Sequence, residues 1–369
     1  MKLMIAELRK NKGISQQELA TVMGVAHQTV SKWETNITFP DITLLPQLSQ
    51  YFDVSVDELL GLKPLPFQTY IPCEAGSKDY WSGRLKYLKS TRDFLWNKDY
   101  LQFLIEKVWK INYPIDVLDC GCGYGFLGTL LMPLLPKGST YTGIDYSENL
   151  INEGRRTLKT GEYDIQFVSD DVLTYESGIK YDFVITQTVL RHVNHSNLFL
   201  EKMISFTKDG GLVVCAEVNR ELENIGLYIH GMDYDYLCQY PGFREMWNTQ
   251  LKYQERDYSV ALKIPKLMGD FGLRNIDIRM SDKVNFISPE HADYAEELAA
   301  FIEAHEFCEY KTNEEQAVVV ERFMNHGMDR KDAEHYCNKQ NKISEFICQN
   351  QKSMAFIQFY GLFISYGTK

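Results

Sequence analysis

The chain has 369 residues, which predicts two or three domains and allows a sizeable core. Its formal net charge of -11 excludes attraction to a polyanion through bulk electrostatics. No run approaches the ~18 continuous apolar residues of a membrane span. The first ten residues turn charged too early for a signal peptide. Eight cysteines lie scattered without a C-x-x-C, as expected of thiols in a reducing cytoplasm. No metal is expected; a site built from His326, His335 and Cys337 is the minor alternative.

Residues 1–62 read as a separate helical unit. Ser15-x-x-Glu18 is a capping box that opens a helix, Gln16 to Met23. Gly24-Val25 turns the chain, and Ala26 to Glu34 follows as the next helix. Ile14, Leu19, Val22, Val25, Val30 and Trp33 fall at spacings that bury one face of each helix. Ser55-x-x-Glu58 opens another, which ends at Gly61. The unit resembles the Cro/repressor-type (XRE) helix-turn-helix through Ser15-Gln16-Gln17-Glu18-Leu19-Ala20, Val30-Ser31-Lys32-Trp33-Glu34, Pro40-Asp41 and Phe52-Asp53-Val54-Ser55-Val56-Asp57-Glu58-Leu59-Leu60. The resemblance implies that the second helix of the motif enters the major groove of double-stranded DNA. Gln28, Thr29 and Lys32 would then face bases or phosphates, and Gln17 the backbone. Gln28 can pair bidentately with adenine. A homodimer is implied by the same resemblance. Charge supports the competing reading, a protein-interaction module: five Lys/Arg stand against seven Asp/Glu in residues 1–62. Four of those bases cluster in the first dozen residues, which leaves a local basic edge.

Residues 63–77, with Pro64, Pro66, Pro72 and Gly76 and no periodicity, read as a linker. Two amphipathic helices are expected from Lys78 to Ile111, carrying Tyr80, Trp81, Trp96, Tyr100 and Trp109 as packing residues.

From Val117 the pattern changes. Asp116 to Cys120 reads as a buried strand bounded by Pro114 and followed by Gly121, Gly123 and Gly125. Glycines at alternate positions remove Cβ atoms, so a ligand can lie against the backbone. Phe126 to Leu135 is a helix, and Tyr141 to Asp145 the next strand, closing in an acid that suits a ribose diol. Gly123-x-Gly125-x-x-Gly128 also satisfies a dinucleotide pattern. Asp119, two residues before the first glycine, repels a pyrophosphate but suits an ammonium or sulfonium. The run Leu-Asp-x-Gly-x-Gly-x-Gly resembles the cofactor loop of the class I S-adenosylmethionine-dependent methyltransferases. That resemblance implies that Asp119, Gly121, Gly123 and Gly125 hold the methionine part of S-adenosyl-L-methionine. Asp145 would hold the ribose, with Tyr146 stacked on the adenine and Asp170 or Asp171 against its amino group. For Arg84 and Tyr80 plain packing is the favoured reading, and a reach to the methionine carboxylate is the alternative.

The alternation continues through a helix at Leu150 to Leu158 and strands at Asp164–Val168, Tyr181–Thr186 and Leu212–Val218. Looser resemblance covers Arg274–Met280 and Met354–Tyr366. The expected fold is α/β, a doubly wound, mostly parallel, seven-stranded Rossmann-like sheet, with an all-α N-terminal domain and a helical C-terminal insertion. Residues 78–369 would form the methyltransferase domain, in which 219–270 and 289–353 build the acceptor pocket and its lid. Gln187, after the fourth strand, is placed to line the site. His192 is the candidate general base, with His195 second. Thr186-Gln187-Thr188-Val189 lacks the prolines of the turn that grips a flipped base in amino-methylating DNA enzymes. The acceptor is therefore expected to be a small molecule or a peptide side chain. A rival expectation is a transcription regulator whose methyltransferase fold senses S-adenosyl-L-methionine or an effector without turnover.

Overall fold

A computed structural model of the chain describes residues 3–63, 65, 78–158, 163–254, 256–308 and 312–369. Most of the expected linker lies outside the described residues. The chain divides into two compact units. One comprises Met1–Ile71, Tyr240–Thr249 and Tyr310–Lys342; the other comprises Pro72–Gln239, Gln250–Glu309 and Ile343–Lys369.

The first unit begins with five helices, α1 (Ile5–Asn11), α2 (Gln16–Met23), α3 (His27–Glu34), α4 (Leu45–Phe52) and α5 (Val56–Leu59). Both expected capping boxes form: the Ser15 and Ser55 hydroxyls accept from the Glu18 and Glu58 amides, and each glutamate reaches back to its serine. Gly24, at φ 66°, ends α2 in the left-handed region that its missing Cβ permits. Leu8, Leu19, Val30, Trp33, Leu48 and Leu59 fill the centre. Val22 does not join them: it is 52% exposed, because Leu19, Ala20 and Met23 already cover the inward face of α2. Arg9 bonds Glu34 at 2.5 Å and Gln16 bonds it at 2.8 Å, which ties α1, α2 and α3 together.

Parts of the two expected pocket insertions belong to this same unit. The Arg330 amide donates to the Leu62 carbonyl at 2.8 Å and its Nε to the Gly61 carbonyl at 3.2 Å. Phe243, Phe323 and Tyr336 form one aromatic cluster, with ring centroids 5.1–6.0 Å apart. Residues 240–249 and 310–342 thus belong to the same compact unit as the five helices. The helix at Asn313–Asn325 does start on the expected Thr312–Glu315 capping box.

The second unit is built on a seven-stranded sheet. Its strands are β1 (Asp116–Cys120), β2 (Thr140–Asp145), β3 (Asp164–Ser169), β4 (Tyr181–Gln187), β5 (Thr207–Val218), β7 (Arg274–Met280) and β10 (Leu362–Thr368), ordered 3-2-1-4-5-10-7. β1 to β5 pair in parallel, while β10 runs antiparallel between β5 and β7. Helices pack on both faces, so the central strands are buried runs such as Val117, Leu118, Val184, Ile185, Val213 and Val214. A second, three-stranded sheet of β6 (Leu227–Ile229), β9 (Phe356–Gln358) and β8 (Asn285–Ile287) has no counterpart in the sequence reading. The segment expected as one strand, Met354 to Tyr366, splits between the two sheets as β9 and β10. The region from Lys78 to Ile111 is likewise more divided than expected: helices at Lys78–Ser82, Leu85–Arg92 and Lys98–Phe103, then a π-helical turn at Leu104–Val108. Cys308 and Cys348 are paired, against the expectation of thiols throughout. Among the described residues no helix is long and apolar enough to cross a membrane.

Candidate cofactor cleft and acceptor cavity

The turn after β1 is held by backbone hydrogen bonds: the Gly121 and Cys122 amides both donate to the Ile144 carbonyl, at 2.8 and 2.9 Å. Gly121, Gly123 and Gly125 have φ of 76°, 58° and 81°, a region that L side chains enter at a cost. Their surroundings differ. A Cβ on Gly121 would sit 2.6 Å from Val189 Cγ2, and one on Gly125 would sit 2.6 Å from Phe167 Cζ, whereas Gly123 opens onto empty space. Packing requires the outer two glycines. Only Gly123 has the bare face that the sequence reading gave to all three.

At Gly123 lies a cleft whose walls include Leu88, Arg92, Asp119, Gly121, Tyr124 and Gln187. Asp119 is 1% exposed. Its Oδ2 accepts from the Tyr141 hydroxyl at 2.7 Å, while Oδ1 is buried without a hydrogen-bond partner. Burial pushes the Asp119 carboxyl up to about 7; Tyr141 opposes the rise, and Asp145 adds to it. Such a carboxylate gains most from a cationic ligand that satisfies the orphaned oxygen and favours the ionised form. Asp145 closes β2 and accepts from the Gly123 amide at 2.8 Å and from the Ser147 amide at 2.9 Å. It therefore pins the glycine turn as well as standing at the strand end. Each of its oxygens keeps a lone pair on which a hydroxyl can donate.

The remaining expected cofactor residues are placed less directly. Gln187 lines the cleft, its carbonyl oxygen accepting from Trp96 Nε1 at 2.7 Å. Tyr146 is half-buried beside Asp145, its phenol pushed up to about 12 by burial. Asp170 and Asp171 turn to their own backbone: Asp170 accepts from the Asp171 amide and Asp171 from the Leu173 amide, at 2.8 and 2.9 Å. Neither they nor Tyr146 nor Gly125 is in the wall of the cleft. Arg84 is taken up by Tyr80 and Glu306, both at 3.1 Å, so it is not the cation of this site. Arg92 ends the helix Leu85–Arg92 and lines the cleft, and among the described residues its guanidinium makes no hydrogen bond or ion pair. Its only sequence signal was a basic residue in a last helical turn, which is common on any surface helix.

A second pocket adjoins the first across Leu88 and Arg92. Trp81, Thr188, Arg191, His192, Glu223 and Tyr360 are in its wall. His192 does not sit as a free base. Arg191 Nε faces its Nε2 at 3.0 Å and Arg256 Nη2 faces its Nδ1 at 3.2 Å. Burial, then Arg191 and Arg256, hold its pKa well below the usual value. A neutral imidazole has one acceptor nitrogen, and here an arginine already uses it. His195 caps the helix Ser196–Phe206 in a left-handed conformation, φ 54°. Glu217 on β5 accepts from the Val189 and Leu190 amides, at 2.8 and 2.7 Å, and so fixes the loop that carries Thr188 to His192. Burial raises its carboxyl to about 7, with Arg191 opposing.

Residues 112–260 match the family model described as a methyltransferase domain, and residues 5–59 that described as a helix-turn-helix. This chain joins a helix-turn-helix domain to a methyltransferase domain. Curated relatives include a ubiquinone biosynthesis O-methyltransferase of Chelativorans sp. (strain BNC1), 34% identical over 122 residues, covering 32% of this chain and 47% of that protein. Another, from Rickettsia akari (strain Hartford), is 27% identical over 156 residues, covering 38% and 61%. The chain thus spans about half the length of the curated relatives it matches. Among solved structures, phosphoethanolamine N-methyltransferase 2 of Haemonchus contortus, in complex with S-adenosyl-L-methionine, is 14% identical with a TM-score of 0.44, covering 79% of this chain and 58% of that one. On the helix-turn-helix domain, Gln17, Gln28 and Lys32 are exposed and Thr29 half-buried along α2 and α3.

Proposed function

We propose that the methyltransferase domain binds S-adenosyl-L-methionine and methylates a small-molecule acceptor, and that the helix-turn-helix domain binds double-stranded DNA. One observation carries the first part: the orphaned Oδ1 of Asp119, buried under the open face of Gly123. An α-ammonium satisfies it, and the unpaired Arg92 guanidinium in the same wall complements the adjoining carboxylate. Asp145 takes the ribose hydroxyls, and Gln187 lines the cleft beside Asp119 and Gly121. The relatives named as O-methyltransferases support the same reaction type.

When bound, the cofactor supplies a methyl group activated by its sulfonium, so the chain needs only to align an acceptor and exclude water. Alignment of this kind is worth ~7–11 kcal/mol. Trp81, Thr188, Tyr360 and the pinned 188–192 loop wall off the cavity in which the acceptor sits. His192 serves here by spacing Arg191 and Arg256.

Titration calorimetry with S-adenosyl-L-homocysteine tests the reading. Wild-type protein is expected to bind, Asp119→Asn to bind at least tenfold more weakly, and labelled S-adenosyl-L-methionine in a cell extract to label a small molecule. Failure of the wild-type protein to bind the nucleoside would sink it. For DNA, binding should weaken steeply with salt, and Gln28→Ala should relax sequence preference by roughly 1–3 kcal/mol at one base pair. Salt-independent or absent binding rejects that half.

A further inference from the structure

The acceptor cavity is surrounded by more buried positive charge than negative. Arg191 lies in its wall, 3.6 Å from Glu223, but Glu223 is already bound by Arg220 at 2.5 Å. Arg191 Nη1 is buried without a hydrogen-bond partner. Arg256, 4% exposed, stands behind His192 with Nε and Nη1 also buried and unbonded. No carboxylate among the described residues pairs with it. Arg92, on the partition between the two spaces, is taken by the cofactor's carboxylate in the proposed complex and does not enter this balance. Glu217, the other acid nearby, spends Oε1 on two backbone amides and leaves Oε2 buried without a hydrogen-bond partner, so the acids near the cavity are Glu217 and Glu223 against Arg191, Arg220 and Arg256.

Buried cations cost several kcal/mol unless paired. His192 offsets little of this, because a neutral ring accepts from only one of the two arginines that flank it. A cationic acceptor would raise the cost further, and the bound sulfonium would do the same. An anion lowers it, and a guanidinium fork matches the two oxygens of a carboxylate or phosphate.

We propose that this cavity takes an acceptor bearing an oxyanion, a carboxylate or phosphate, held by Arg191, with Arg256 adding charge through His192. The proposal rests on the methyl-transfer reading and names the substrate class of that same site. A cation-lined cavity selects against neutral analogues mainly by leaving Arg191 Nη1 without a hydrogen bond, beside a Glu223 already bound by Arg220, when they bind.

The test uses the full chain saturated with S-adenosyl-L-homocysteine and three probes, benzoate, phenyl phosphate and benzamide, measured by ligand-detected nuclear magnetic resonance. At least one anion should bind tenfold or more tightly than benzamide, and the ratio between benzoate and phenyl phosphate identifies the oxyanion. Arg191→Gln should erase the preference over benzamide while S-adenosyl-L-homocysteine still binds, and Arg256→Gln should weaken anion binding more at low salt than at high salt. If Arg191→Gln fails to fold, Arg256→Gln and the wild-type ratio decide. Benzamide binding as well as both anions, or a preference that survives Arg191→Gln in a protein that still binds the nucleoside, overturns the proposal. Loss of nucleoside binding by wild-type protein instead strikes the methyl-transfer reading, and the proposal with it.

Discussion

A single buried oxygen, Oδ1 of Asp119, sets the expected pH behaviour of the cofactor cleft. With the free carboxyl raised to about 7, affinity for a cationic ligand should rise about tenfold between pH 6 and 8 and flatten above, since each pKa unit is worth 1.36 kcal/mol. Calorimetry with S-adenosyl-L-methionine across that range should show the slope in wild-type protein and none in Asp119→Asn. The glycines give a second prediction. Gly121→Ala, strained in φ and 2.6 Å from Val189, should destabilise the domain by ~1–3 kcal/mol. Gly123→Ala meets no atom, so it should cost less stability and more cofactor affinity, as thermal melts and calorimetry would show. Sequence spacing picked out all three glycines and both acids but could not tell a glycine required by packing from one that faces a ligand. That distinction depends on Phe167 and Val189, which lie more than 40 residues away from the glycines they touch.

At the scale of elements, local chemistry was the most legible part of the chain. The three capping boxes, Ser15–Glu18, Ser55–Glu58 and Thr312–Glu315, all form, because each is closed within four residues. The strand β7 has the expected bounds, and β1 to β4 begin and end within one residue of expectation. The second sheet leaves no periodic signal in the sequence because β6, β8 and β9 are three residues each, too short to show alternation. The place of His192 after β4 points to a base, whereas Arg256, 64 residues on, faces its Nδ1 at 3.2 Å. Within the helix-turn-helix domain, Trp33 is 2% exposed and central to the cluster that supports α3. Trp33→Ala should cost ~3–5 kcal/mol and abolish DNA binding by unfolding the motif. Lys32→Ala should leave the fold intact and lower the salt slope of DNA binding by about 1. Circular dichroism beside gel-shift titration separates the two outcomes.

Over the whole molecule, two buried acids predict an unusual pH profile. Asp119 and Glu217 are both raised to about 7. From near 4 up to about 7 the unfolded chain releases protons that the folded chain keeps, so stability falls as pH rises through that window and levels above it. Melting temperatures of ligand-free protein should drop from pH 5 to 7.5, and Glu217→Gln should shallow the drop. A profile that climbs over the same range would contradict the burial of both groups. By itself the sequence determined the two kinds of domain, the order of most strands and the residues at the glycine turn, because caps, turns and periodicity act over a few residues. Tertiary structure decided the rest: that residues 240–249 and 310–342 pack with the helical unit, that Arg92 rather than Arg84 faces the cleft, and that arginines crowd His192. Each of these depends on contacts between segments far apart along the chain, which no local pattern of side chains encodes.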